Sequence, residues 1–162
     1  MRFDPIKFEV IRSALVEVTE EMAVTLRRSA YSTNVKTRQD FSCAFFDRRL
    51  RPIAQAFTQP VHLGSFVQLI PKAVATYGAD NIEEGDMIVV NDAHGGGSHL
   101  NDVTLFAPVH HAGKLLGYVC ALAHHVDGGG GSPASIGPFQ EIYQEGIIIP
   151  PVKLVRQGQI DP

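Results

Sequence analysis

Apolar residues at Phe8, Ile11, Leu15, Val18, Met22 and Leu26 recur three or four positions apart. That spacing marks one long amphipathic helix, which needs an apolar platform to lie on. Asp4 and Pro5 supply its start: a side-chain cap, then a first helical residue whose missing N–H costs nothing there. Glu17, Glu20 and Glu21 fall on the polar face and are expected to be solvated. The platform is legible downstream. Phe41 to Phe46 reads as a strand, Asp47 to Arg51 as a turn and Pro52 to Phe57 as the returning strand of a hairpin. Leu63, Phe66, Ile70, Val74 and Tyr77 restore helical spacing up to Gly78, a C-terminal cap, and Pro71 predicts a kink or a late start. Strand-like runs follow at Met87 to Val90, Val103 to Val109 and Leu115 to Leu122, the last two joined by a turn over His110 to Lys114.

This order lacks the strict alternation of a doubly wound sheet. The predicted fold is α+β, a long N-terminal helix and a second helix packed on a mainly antiparallel mixed sheet, with Phe41, Phe45, Val89, Leu105 and Val119 in its core. A hydrophobic content of 44% is enough to build that core, and a net charge of -3 offers no basic face for nucleic acid. No apolar run reaches the roughly 20 residues of a membrane helix, and the N-terminus lacks a signal peptide's apolar segment. A cytoplasmic location is expected. Cys43 and Cys120 each sit inside an apolar run, which predicts buried thiols rather than a disulfide or a thiolate metal site.

The chemistry-bearing residues are concentrated. Most of the 15 glycines and seven histidines lie between Asn91 and Gly131. Three polar segments stand at strand ends: Arg38-Gln39-Asp40, the stretch Asn91 to Asp102, and His124-His125-Val126-Asp127-Gly128. Imidazole and carboxylate without thiolate suit a catalytic divalent ion with open positions. His99 and Asp102 can face one ion from a tight turn, whereas His124 and His125 project oppositely from a strand, so at most one of them is a ligand. His94, in the glycine loop, is expected only to line the site, and His110 and His111 are expected in solvent. Gly95 to Gly97 is followed by no Gly-Lys-Ser/Thr, and Gly128 to Gly131 lacks dinucleotide-site spacing, so no nucleotide is expected on this chain. Ser42, Ser98 and Ser132 lack a nucleophile elbow.

These segments resemble a known family. Asp4-Pro-Ile-Lys-Phe-Glu-Val-Ile11, Arg38 to Asp47, Pro60-Val-His-Leu-Gly-Ser65, Gly96 to Val103, Ala123-His-His-Val-Asp-Gly-Gly129, Gln144-Glu-Gly-Ile147 and Ile149 to Leu154 look, in order, like the N-terminal region of the hydantoinase B/oxoprolinase family. Residues 1–162 then correspond to an N-terminal portion of that domain, incomplete relative to the family. The resemblance implies the metal-bearing part of an ATP-dependent cyclic amide or hydantoin hydrolase of the N-methylhydantoinase or 5-oxoprolinase type. It implies a hydantoinase A-type ATPase subunit as partner, which uses the ATP, and an oligomeric assembly. A subunit of an acetone or acetophenone carboxylase and a non-catalytic assembly domain are the alternatives. By motif position the ligands of a divalent metal (Zn, Mn or Fe) map to Asp40, His99, Asp102 and His124. His125 and Asp127 are the expected catalytic proton carriers, and with Asn101 the expected partners that orient the ligands. Two departures are Ala93-His94, where the family has Pro and an aromatic residue, and a hairpin turn without its glycine. A piece of a longer scaffold should also expose apolar surface, expected around Ile147 to Val155.

Overall fold

Asp4 accepts hydrogen bonds from the amides of Ile6 and Lys7 and starts helix α1, Pro5–Ser29. The computed structural model describes residues 4–161. After α1 come a single helical turn α2 (Thr33–Lys36), strands β1 (Phe41–Asp47) and β2 (Pro52–Gln55), helix α3 (Pro60–Tyr77), and strands β3 (Met87–Val90), β4 (Asp102–His111), β5 (Lys114–His124), β6 (Val152–Arg156) and β7 (Gln159–Ile160). The strands form one sheet in the order β2-β1-β5-β4-β3-β6-β7. Every adjacent pair is antiparallel. The α+β architecture expected from the sequence is therefore the one observed.

Register decides which face each side chain serves. Ala44, Cys120, Phe106 and Ile88 lie in one cross-strand row, and α3 covers that face with Phe66, Leu69, Ile70, Ala73 and Val74. Phe46 and Phe66 meet edge to face at 6.5 Å between ring centres. Each large side chain buried there contributes roughly 1.5–3 kcal/mol. On the opposite face α1 lies over β1 and β2 and closes a smaller core of Ala23, Val35, Phe41, Cys43 and Ala56. Both cysteines are buried and free, and burial pushes the Cys43 thiol up to about 12.

Several expectations are corrected. Val89, Leu105 and Val119 are only half-buried; they belong to the α1 face, beyond the strands that α1 covers, whereas Phe41 and Phe45 are buried. Strands that are apolar at both parities do not reveal which face the second layer will occupy. Helix α1 is likewise not buried along its stripe: Phe8 and Ile11 are 51% and 58% exposed, and the buried residues are Thr19 and Ala23. Small side chains at these positions let the helix approach β1 and β2. Glu20 is not simply solvated, because its Oε1 accepts the Phe57 amide at 2.7 Å.

Pro71 causes no late start: α3 begins at Pro60 and runs through it. The carbonyl deprived of its partner belongs to Val67, on the exposed side of the helix. The turn between β4 and β5 shrinks to Ala112 and Gly113, both at positive φ, so His110 and His111 end the strand, and His110 is half-buried. The sequence reading places no strand beyond Leu122, yet β6 and β7 form an edge hairpin through Gln157 and Gly158, again both at positive φ. Ile147, Val152 and Leu154 do expose apolar surface. Among the described residues, no helix is long and apolar enough to cross a membrane.

Candidate metal centre

The first residue of β4, Asp102, lies directly opposite the last residue of β5, His124. Asp40 immediately precedes β1, and its carbonyl accepts the His124 amide at 3.0 Å. Strand parity points Asp40, Ser42, Asp102 and His124 to the face covered by α3. The same alternation sends His125 outward, where it is exposed. His99 joins from the turn before β4, closed by the Asp102 amide on the His99 carbonyl at 3.0 Å.

Three donor atoms converge. His99 Nε2 and His124 Nδ1 are 3.1 Å apart, and each is 3.2 Å from Asp102 Oδ1. Ligands held at roughly 2.1 Å around a tetrahedral ion are about 3.4 Å apart, so these edges fit one divalent cation. Two nitrogens and a carboxylate oxygen without sulfur are the donor set of a catalytic zinc, manganese or iron site. Burial pushes the Asp102 carboxyl up, but hydrogen bonds from His99 and Ser98 outweigh it and hold the group below its ordinary range. The hydrogen bond to Asp102 raises the His99 pKa against the opposing effect of burial.

A residue that the sequence reading did not select completes the group. His62, 3% exposed on the first turn of α3, has Nε2 at 3.5 Å from Asp40 Oδ1 and 3.6 Å from Asp102 Oδ2. Burial lowers its pKa, although both carboxylates pull it upward. Its signal in the sequence is helical spacing, since 62, 66, 69, 70 and 73 form the buried stripe of α3; that stripe reads as core. Asp40 approaches the triad through His62, and its side chain is 32% exposed. Asp127 lies in the exposed loop after β5 and accepts the Gly129 amide at 2.9 Å. Asn101 clamps that loop: its Nδ2 donates to the His125 carbonyl at 2.7 Å, and its carbonyl accepts the His125 amide at 2.8 Å. Beside His124 opens a cleft of about 510 Å³, lined by Tyr31, Ser32, Thr33, Val35, His125 and Val126.

The glycine-rich loops hold this geometry by close backbone approach. Gly96, at φ +111, packs on α3 so closely that a Cβ would lie 2.8 Å from Gln68 Cβ and 2.9 Å from the Leu69 amide nitrogen. Lys72 Nζ secures the same loop through the His94 carbonyl at 2.7 Å. Buried Asn91 ties its two ends to the chain at 147–149, donating to the Leu100 and Ile147 carbonyls and accepting the Ile149 amide. Gly130 packs against the Glu145 carbonyl, where a side chain would collide; packing thus explains that glycine of the second run. Gly96→Ala is expected to cost about 1–3 kcal/mol through its positive φ and the collision with α3, and to weaken metal binding by displacing the His99 turn. Thermal unfolding alongside a zinc titration checks this; an unchanged midpoint and affinity would contradict it.

The sequence profile of the hydantoinase B/oxoprolinase family matches residues 4–162. An uncharacterized protein of Methanocaldococcus jannaschii is 45% identical over 98% of this chain and 29% of its own length. The 5-oxoprolinase of Dictyostelium discoideum is 38% identical over 96% of this chain and 12% of its own. The caprolactamase subunit beta of Pseudomonas jessenii is 41% identical over 96% and 27%. The crystal structure of the ATP-dependent caprolactamase from that organism superposes with a TM-score of 0.88 at 39% identity, covering 99% of this chain and 28% of that one. A nucleotide-free acetone carboxylase structure shares the fold, with a TM-score of 0.88 at 20% identity over 98% of this chain and 21% of that one. The chain spans less than a third of the length of the curated relatives it matches.

Proposed function

The chain belongs to the hydantoinase B/oxoprolinase family, and from that premise we propose that it is the metal-bearing part of an ATP-dependent cyclic amide hydrolase acting with an A-type ATPase subunit. The observation that carries this reading is the convergence of His99, Asp102 and His124 at the ends of two paired strands. Asp40, a neighbour of the triad through His62, is the fourth candidate ligand. Lactam hydrolysis is preferred over ketone carboxylation because the lactam-opening relatives share 38–41% of their residues with the chain, whereas likeness to the carboxylase is one of fold.

The chemistry is divided. The partner transfers the γ-phosphoryl group of ATP to the carbonyl oxygen of the cyclic amide. Water adds to the activated carbon, the C–N bond breaks, and a second water releases phosphate from the resulting acyl phosphate. A divalent ion, when bound, supplies Lewis-acid polarisation and lowers the pKa of nearby water. His99, Asp102 and His124 would hold that ion at the paired ends of β4 and β5. His125, exposed on the cleft lining, and Asp127, in the exposed loop after β5, would take the proton from water and return it to the departing ring nitrogen. The chain alone should show no ATPase activity, since it has no phosphate-binding loop. The test incubates a lactam such as 5-oxoproline with the chain, its A-type partner and ATP, and follows ring opening with and without chelator. Opening that requires all of them is expected; full activity in chelator, or without ATP, overturns the reading.

A further inference from the structure

The two faces of the sheet are covered unequally. On the α3 side Ala44, Cys120, Phe106 and Ile88 are all buried. On the α1 side the cross-strand row Cys43, Ala121, Leu105, Val89 and Val152 starts beneath the helix and runs out into solvent: Cys43 is 1% exposed, the middle three are half-buried and Val152 is 40% exposed. The neighbouring row repeats this with Phe45, Val119 and Ala107. Neither row holds a charged side chain, whereas a sheet face turned to water ordinarily alternates to polar residues. We propose that this face over β5, β4 and β3 seats an amphipathic helix lying alongside α1, supplied by the polypeptide that the longer relatives carry outside the matched stretch. The inference is independent of the metal centre.

Spacing fixes the position. Helices pack about 8–10 Å apart and strands about 4.8 Å, so one helix covers about two strands. Among the described residues α1 takes β1 and β2, which leaves the next position over β5 and β4. One wall of that position is already built: Ile11, Leu15, Val18 and Met22 form a single stripe of α1 beside the buried Thr19 and Ala23, and Ile11 and Val18 are 58% and 44% exposed. Two clefts meet at Met22 and Ala121, one of about 480 Å³ beside Val18 and Leu26 and one of about 150 Å³ over Leu105 and Val119. An occupant touching Ile11 through Met22 runs for about 16 Å, three helical turns. It must present an uncharged face, because a charge laid on this surface would find no counterion. So uniformly apolar a surface suits a permanent core rather than a reversible contact. More than two thirds of the Methanocaldococcus jannaschii relative and of the caprolactamase subunit beta lies outside the matched stretch, and the caprolactamase holds this fold as 28% of a longer chain. That length can supply the layer. A second copy fits less well, since the apolar stripe its α1 would insert already lines its own groove.

The experiment identifies what touches the face. This chain replaces the matched stretch of the Pseudomonas jessenii caprolactamase subunit beta, to which it is 41% identical over 157 residues, and the photo-crosslinker p-benzoylphenylalanine replaces Leu105. The full-length chimaera is irradiated in complex with its partner subunit, and gel mobility and mass spectrometry locate the crosslink. Capture within the same polypeptide, at a helical segment outside the 162 residues, is expected. Capture of a second copy or of the partner subunit, or no crosslink at all, overturns the proposal. The same photo-crosslinker at the equivalent position of the unaltered subunit beta decides the matter if the chimaera does not fold. The 162-residue chain supplies a second readout. It should bind 8-anilinonaphthalene-1-sulfonate, and Leu105→Lys with Val119→Lys should remove most of that fluorescence while far-UV circular dichroism stays unchanged. A folded parent that binds no dye, or a dimer that Leu105→Lys dissociates, also overturns it.

Discussion

Replacing His99 by alanine is expected to abolish retention of a divalent ion, with affinity falling by at least about 100-fold, since changes one shell further out already cost 10- to 100-fold. The helical signal should be nearly unchanged. His99 stands on the turn before β4 with its side chain 35% exposed, outside both apolar clusters, so its removal opens no cavity in either. What is lost is one of three convergent donors. The remaining pair, His124 Nδ1 and Asp102 Oδ1 at 3.2 Å, is too few for a tight site. Dialysis against buffer followed by elemental analysis, with circular dichroism on the same sample, checks both halves. A folded variant that keeps a full equivalent of metal would show that His99 is not a ligand. Asp102→Ala is the harsher change, because Asp102 is 3% exposed and its loss leaves His62, His99 and His124 without their shared carboxylate. That variant should lose stability as well as metal.

The parts of the site legible in the sequence are those fixed by local geometry. His99 and Asp102 are three residues apart on one turn, and of His124 and His125 only one can face inward from a strand; both constraints hold whatever the rest of the chain does. His62 is not legible in the sequence because its neighbourhood is tertiary. Nothing within α3 indicates that its first turn docks on the starts of β1 and β4. The same difference between local and long-range information separates the correct strands from the misassigned core. Residues 87–90, 103–109 and 115–122 announce strands by their apolar runs, but alternate residues are apolar on both faces. Only the packing of α3 over Ile88, Phe106 and Cys120 decides that Val89, Leu105 and Val119 lie outside. Hairpin β6–β7 leaves no clear sequence signal because it is short and mostly exposed, and is held by residues distant in sequence.

Those distant residues predict the second large effect: Asp86→Ala should destabilise the chain by about 3–5 kcal/mol, the cost of leaving a buried charge unpaired. Asp86 is 2% exposed. Its Oδ2 is 2.7 Å from Lys153 Nζ and accepts the Glu83 amide at 2.8 Å, while Oδ1 accepts the Gln157 amide at 3.0 Å. Lys153 also lies 5.5 Å above the Tyr77 ring. One carboxylate thus joins the turn before β3, strand β6 and the β6–β7 turn, and its loss strands the ammonium of Lys153 on buried surface. Burial pushes the Asp86 carboxyl up, but Lys153 and the two amides outweigh it and hold its pKa below the ordinary value. A group depressed in the folded state contributes stability that is fully present above the unfolded pKa of about 3.9 and is lost as pH falls through the lower folded value. The parent should therefore lose this contribution only below about pH 4, and Asp86→Asn, which keeps the shape without the charge, should flatten that acid limb. Urea unfolding of parent and variants at neutral pH and at about pH 3 measures both effects. If Lys153 causes the damage, adding Lys153→Met to Asp86→Ala should recover part of the loss; a double variant no more stable than the single one would place the cost in the broken amide hydrogen bonds instead.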